Sequence, residues 1–105
     1  ADIVKDYAVR LIMSSHARPE QSGAESLAQR YVMYGSSPRG LQSVILAAKA
    51  RALFAGRPNV SFEDIRVMLL PSLRHRLILN LDADADGVST DKILNDLITR
   101  VAEVA

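Results

Sequence analysis

Cysteine is absent from the 105 residues, which excludes disulfides and thiolate metal ligands and fits a reducing compartment. There is no run of about 18 apolar residues, the length that a membrane-spanning helix needs. The opening ADIVKDYAVR carries charges through its apolar pattern and lacks the layout of a signal peptide. A soluble, cytoplasmic protein with no membrane contact is the expectation. Histidine is scarce: His16 and His75 fall on different elements, and neither has a partner at the H-x-x-E-H or H-E-x-x-H spacing, so no metal site is expected. No serine stands in a G-x-S-x-G elbow, and no pair of carboxylates is embedded in apolar sequence where a raised pKa would be argued. Taken alone, the chain reads as non-catalytic.

What is present suffices for one domain with a modest core, since 49% of the residues are hydrophobic. Ala1 in place of Met, with a helical pattern opening at Asp2, points to a domain cut from a longer protein. The net charge of +1 hides an asymmetry: residues 30 to 81 hold eight Lys or Arg against two acids, and residues 82 to 105 hold two against six. Such a basic middle can mark a nucleic-acid face. Here the cations are scattered over several elements and Phe54 and Phe62 lie in apolar runs, so nucleic acid is not the expected partner.

Ile3, Val4, Tyr7, Ala8, Leu11 and Ile12 recur at three and four, which predicts an amphipathic helix from Asp2 to about His16. Residues 17 to 26 collect Pro, Gly, Ser and charge and read as a loop. LAQRYVMY is open between a short helix and, over RYVMY, an extended segment. Ser37 as N-cap and Pro38 as first helical residue begin a helix that runs to about Ala55 and stops at Gly56. Between Leu41 and Ala55 only Gln42, Ser43, Lys49 and Arg51 are polar, so this helix is expected to be central and buried.

Ser61 with Asp64 three residues on is a variant capping box for a third helix, with Phe62, Ile65, Met68 and Leu69 on one face. Pro71 is expected to interrupt it, and SLRHRLIL to add a helical turn or two or to straighten at Ile78 and Leu79. After an acidic loop, DADADG, Ser89 caps a last helix with Ile93, Leu94, Leu97, Ile98 and Val101 in a stripe. The fold class is all-α: a small four-helix bundle with irregular connecting loops.

Asp82, Asp84, Asp86 and Gly87 match the first half of a calcium loop, but the twelfth position from Asp82 is Ile93, where a bidentate glutamate belongs. A solvated acidic turn ahead of a helix N-terminus is the simpler reading. Arg74, His75 and Arg76 are consecutive and on a helix would point about 100° apart, so they do not serve one ligand. Surface ion pairing and contact with a neighbouring subunit or domain are the two readings. Gly35 and Gly40 have the G-x-x-x-x-G spacing of a phosphate loop, yet Leu41 and Gln42 stand where it needs Lys and Ser or Thr. Arg39 is odd in a first helical turn, where it opposes the macrodipole by roughly 0.3–1 kcal/mol. On local sequence alone, a surface arginine following a cap and an arginine that builds an anion site with first-turn N–H groups fit equally well.

The stretch YGSSPRGLQSVILAAKARALFAGRPNVSFEDIRVMLLPSLRHRL resembles the C-terminal lid domain of the MoxR-type AAA+ ATPases, with parts shared by magnesium-chelatase ATPase subunits. The resemblance covers nearly all of residues 1–105, from VKDYAVRLI through G-x-S-P-R, A-x-A-x-A-L-x-x-G-R, V-S-x-E-D-I and P-x-L-R-H-R-L to G-V-S-x-D-x-I. It implies that Arg39 is the sensor 2 arginine, the catalytic residue of this fragment, and that Ser37, Pro38 and Arg39 form a helix start that meets the nucleotide phosphates. ATP and Mg²⁺ are the implied cofactors of the parent protein, with Mg²⁺ and the Walker lysine held on an upstream α/β domain. The implied partners are that N-terminal domain of the same chain, neighbouring subunits of a ring oligomer, and proteins with von Willebrand factor A domains. The implied activity is that of a chaperone-like ATPase assisting maturation or assembly of other proteins, with no hydrolysis by the fragment alone. Gly40 departs from a better helix former such as Ala by about 1 kcal/mol and is expected to loosen the first turn. A free-standing helical interaction module, binding an acidic protein or nucleic acid through the basic middle, is the alternative from another class.

Overall fold

Val4, Tyr7, Ala8, Leu11 and Ile12 are all buried along one face of α1 (Asp2–Ser14), as the three-and-four spacing requires, whereas Ile3, also expected in the stripe, is 55% exposed. The computed structural model describes residues 2–16 and 27–103; the loop expected over residues 17–26 lies outside the described residues. Helix α1 ends two residues before the expected His16, and Ser15 and His16 form the turn that leaves it. Both alternatives for LAQRYVMY are realised in succession, as α2 (Leu27–Tyr31) and then β1 (Val32–Tyr34). Strand β1 pairs antiparallel with β2 (Ile78–Leu79), Val32 opposite Leu79 and Tyr34 opposite Ile78. That short ladder is a small addition to an all-α bundle whose main helices are α1, α3 (Pro38–Phe54), α4 (Phe62–Leu73) and α6 (Thr90–Arg100).

The largest fully buried side chains are Tyr7 and Leu11 of α1, Ile65, Leu69 and Leu73 of α4, and Ile93, Leu94 and Leu97 of α6. Helix α3 lies along α4 through Gly40, Val44, Ala48 and Ala52, small residues four apart on one face. The expectation that α3 is buried around most of its circumference is corrected. Its opposite face leaves Leu46 71%, Leu53 76% and Phe54 91% exposed. Apolar composition alone does not supply a neighbour for every face: among the described residues α4 and α1 are the main helices that pack against α3, and neither covers this side.

Two further expectations are overturned. Pro71 does not interrupt α4, which runs through it to Leu73. Proline removes the bond to the carbonyl of Val67, but Pro71 and Val67 are both exposed, so water can serve that carbonyl, while Leu69 and Leu73, fully buried on the inner face, hold the helix on course. The acidic DADAD segment is not a loop either. It is α5 (Leu81–Asp86), capped by the Asn80 side chain, which accepts from the Ala83 N–H at 3.1 Å, and ended by Gly87 at φ 69°. Asp82 and Asp84 thus stabilise their own helix N-terminus, and Asp86 accepts a 2.6 Å bond from the Tyr31 hydroxyl, tying α5 to α2.

The helix boundaries written in local capping residues are as expected. Ser61 and Asp64 form a reciprocal capping box, Ser89 accepts from the Lys92 N–H, and α3 is closed by Ala55 with Gly56 next in the left-handed region at φ 74°.

Candidate functional site

The start of α3 is set by Ser37, whose extended backbone precedes Pro38 and whose carbonyl accepts from the N–H of Gly40 at 2.9 Å and of Leu41 at 3.4 Å. Its hydroxyl makes no cap bond, so the helix start rests on backbone geometry and the fixed φ of proline. Ser37, Pro38 and Arg39 are all exposed, in one continuous turn. Among the described residues the guanidinium of Arg39 meets no carboxylate. Gly40 beneath it is buried, and a Cβ there would stand 1.9 Å from Ser36 Oγ and 3.0 Å from Leu73 Cδ2. Gly40 therefore does not loosen the first turn, as propensity suggests; its missing side chain lets the turn seat against Ser36 and α4. The G-x-x-x-x-G spacing reflects close packing of the chain.

The other cations of the basic middle are largely engaged. Arg57 holds Asp64 with both ends of its fork, Nη1 to Oδ2 and Nη2 to Oδ1, each at 2.6 Å, and Arg51 Nη1 reaches Oδ1 at 2.5 Å. The Ser61 N–H donates to Oδ2 at 2.8 Å. Asp64 is fully buried; the Arg57 fork above all, with Ser61 and Arg51, holds its carboxyl well below the usual carboxylate range against the opposing effect of burial. This network joins the C-terminal end of α3 to the N-terminal end of α4, where cation and anion each suit the local dipole. Reading Asp64 only as a capping residue missed it; the signal was Arg57 immediately after the helix-ending glycine, four residues before the cap. Arg66 pairs with Glu103, and Arg74 Nε with Asp91 at 2.8 Å. Four of the eight basic residues in 30 to 81 are thus paired with acids, so the middle is not a continuous cationic face.

Arg74, His75 and Arg76 follow the end of α4 and are exposed. Arg74 is in the ion pair just described and Arg76 Nε caps the Ser72 carbonyl at 3.1 Å, so the structure does not bring the three together on one ligand. The histidines are apart: His75 is exposed, and His16 Nε2 lies 2.9 Å from the Ser36 carbonyl. Among the described residues no three of His, Asp and Glu cluster as metal ligands, and no helix is long and apolar enough to cross a membrane.

An open groove of about 690 Å³ lies between α1 and α3, with Val4, Leu41, Ile45 and Val60 along it and Lys5 and Lys49 at its rim. Its lining on α3 starts at Leu41, two residues beyond Arg39, and includes Leu46; Ser37, Pro38 and Arg39 do not line it. The exposed stripe of α3 is better aligned with Arg39: Leu46 and Leu53 follow at steps of seven residues, each a rotation of only about −20° on a helix.

Residues 24–97 match the model of a family described as the AAA lid domain. The chain is 37% identical over 97 residues to "Chaperone MoxR1" of Mycobacterium tuberculosis, covering 92% of this chain and 25% of that protein. It is 42% identical over 53 residues to "Protein MoxR" of Paracoccus denitrificans, covering 50% of this chain and 16% of that one. A crystal structure of a candidate ATPase from Cytophaga hutchinsonii superposes with a TM-score of 0.88 at 32% identity, over 97% of this chain and 30% of that one. The chain thus spans about a quarter of the length of the first of these relatives and less of the second.

Proposed function

This chain belongs to the AAA lid domain family, as a lid of the MoxR type, and from that premise we propose that residues 1–105 are the C-terminal lid of a longer ring-forming ATPase, with Arg39 as its sensor 2 arginine. The observation that carries this reading is the state of Arg39: an exposed guanidinium with no carboxylate among the described residues, on a helix start seated without room for a methyl group. Arg51, Arg57, Arg66 and Arg74 all have acid partners; of the basic residues in 30 to 81 without one among the described residues, Arg39 alone stands in the first turn of a helix of eight residues or more. At the first turn of α3 the dipole and the Arg39 N–H favour the same charge.

In the parent protein ATP is the nucleotide, and Mg²⁺ is held by the upstream α/β domain. Arg39 donates to the γ-phosphoryl oxygens and offsets the charge that spreads over them during transfer, while Ser37 and Pro38 fix the turn that presents it. The α/β domain that carries the nucleotide meets the same face of α3, which accounts for the exposure of Leu46 and Leu53 in line with Arg39. Neighbouring ring subunits, von Willebrand factor A domain proteins, chaperone-like assistance to other proteins and a cytoplasmic location belong to the same reading of the parent.

Arg39→Ala in the full-length parent tests it. Turnover of ATP is expected to fall by roughly 10²-fold or more, since arginines on the γ-phosphoryl group contribute on the order of 10³–10⁵ in the strongest cases. The lid itself should melt at an unchanged or slightly higher temperature, because the dipole conflict is relieved. Wild-type turnover in the variant would refute the sensor assignment.

A further inference from the structure

Ser36, the residue that leads into the Ser37–Pro38–Arg39 turn, is 1% exposed and is gripped on both sides of its peptide. Its N–H donates to Ser15 Oγ at 3.0 Å, and Ser15 Oγ in turn donates to the Ile12 carbonyl at 2.6 Å, inside the last turn of α1. Its carbonyl receives His16 Nε2 at 2.9 Å. A carbonyl only accepts, so Nε2 carries the proton. Two consecutive residues that close α1 therefore hold both backbone groups of one residue three positions before Arg39.

The fit is tight enough to exclude side chains. A Cβ on Gly35 would stand 2.8 Å from His16 Cγ, 2.8 Å from the Ser15 carbonyl oxygen and 2.9 Å from His16 Cα, so the two segments touch backbone to backbone. From the other direction Gly40 closes on Ser36 Oγ and Leu73. The loop from Gly35 to Gly40 is thus clamped between the end of α1 and α4, and its two glycines are both places where a methyl group would push the clamp open. Ser15 and Ser36 are buried polar residues among a largely apolar interior; Ser15 links the Ile12 carbonyl of α1 to the Ser36 N–H, and Ser36 Oγ donates to the Ser37 carbonyl at 3.2 Å, so the bonds run from the end of α1 into the approach to Arg39.

We propose that Ser15 and His16 are positioning residues for Arg39: by holding the N–H and carbonyl of Ser36 they fix the angle at which the first turn of α3 presents the guanidinium. The proposal rests on the sensor reading of Arg39 given above. Misplacement of a catalytic group by about 1 Å can cost 10²-fold in rate, and a hydrogen-bonded clamp three residues before Arg39, together with the close seat of Gly40 just after it, is placed to set that distance.

The test is a mutant cycle on ATP turnover in the full-length parent. His16→Ala is expected to lower kcat about tenfold or more while KM changes less, and His16→Gln, whose amide nitrogen can donate from the position of Nε2, is expected to return kcat to within about twofold of wild type. Gly35→Ala keeps both hydrogen-bonding residues but forces them apart, and should reproduce the loss; it also carries the test if His16→Ala does not assemble. In an Arg39→Ala background His16→Ala and Gly35→Ala should cost nothing further, because they act through Arg39. The proposal is overturned if Arg39→Ala lowers turnover while both clamp variants keep wild-type kcat, or if their losses multiply with that of Arg39→Ala. A silent Arg39→Ala is a different result: it removes the sensor reading, and the positioning role falls with it.

Discussion

Arg57 and Asp64 meet fork to fork, Nη1 on Oδ2 and Nη2 on Oδ1, each at 2.6 Å, across the turn that joins α3 to α4. The carboxylate is fully buried while the side chains of Arg51 and Arg57 remain 35% and 37% exposed. An asparagine here removes the charge that both arginines face and puts an NH₂ in place of one oxygen, against either Arg51 and Arg57 or Arg57 and the Ser61 N–H, while solvent can partly reach the two cations. Asp64→Asn is expected to destabilise the chain by roughly 2–3 kcal/mol, below the figure for a pair buried on both sides. That corresponds to a fall in melting temperature of roughly 10–20 °C, read by thermal circular dichroism. A change under about 0.5 kcal/mol would show the network to be idle.

The same carboxylate sets an acid limit. Its folded-state pKa is depressed, chiefly by Arg57, so its contribution is complete above the unfolded-state value of about 3.9 and is lost as pH falls toward the folded value. Stability measured in urea should be flat in this term from neutral pH to about pH 5 and decline below about pH 4. Asp64→Asn should show a shallower decline over that acid range. Equal slopes for wild type and variant would assign the acid sensitivity to other carboxylates.

Gly40→Ala pits helix propensity, a gain of about 1 kcal/mol, against a methyl group 1.9 Å from Ser36 Oγ. Overpacking a seated core position costs about 1–3 kcal/mol, so the variant should be less stable than wild type. Ser36→Ala removes the obstructing oxygen and leaves Leu73 Cδ2 at 3.0 Å and the residue 36 Cβ at 3.3 Å. Introduced into the Ser36→Ala background, Gly40→Ala should therefore be far less damaging. A higher melting temperature for Gly40→Ala alone would mean that the turn has room.

Leu46→Gln and Leu53→Gln touch side chains 71% and 76% exposed, and each should change the stability of the 105 residues by no more than about 0.5 kcal/mol. In the full-length parent the pair should lower ATP turnover under the proposal that the face they share with Arg39 docks the nucleotide-bearing domain. Loss of stability in the isolated chain would show that the stripe packs internally, and unchanged turnover would remove it from the interface.

Where a boundary depends on residues a few positions apart, the sequence was enough. Ser61 and Asp64, Ser89, Gly56 and the stripes of α1 and α6 act through bonds and spacings internal to one helix, and each stands where the pattern puts it. Arg39 drew attention on local grounds too, as a cation in a first turn that local physics disfavours, but those grounds left a surface arginine and an anion site equal, and its sensor role is a proposal that rests on the resemblance. What lay beyond reach depended on neighbours distant in sequence. Pro71 stays helical because Leu69 and Leu73 are held in the core; α3 leaves Leu46 and Phe54 in solvent because, among the described residues, α1 and α4 pack on its other sides; and Asp64 gathers Arg51 and Arg57 because α3 and α4 pack side by side. The role of Gly35 and Gly40 is of this second kind. Their spacing matched a phosphate loop whose Lys and Ser or Thr are missing, and gave no other reason for two glycines there; the absence of a side chain matters only once α1 and α4 close on the loop between them, and tertiary packing alone decides that.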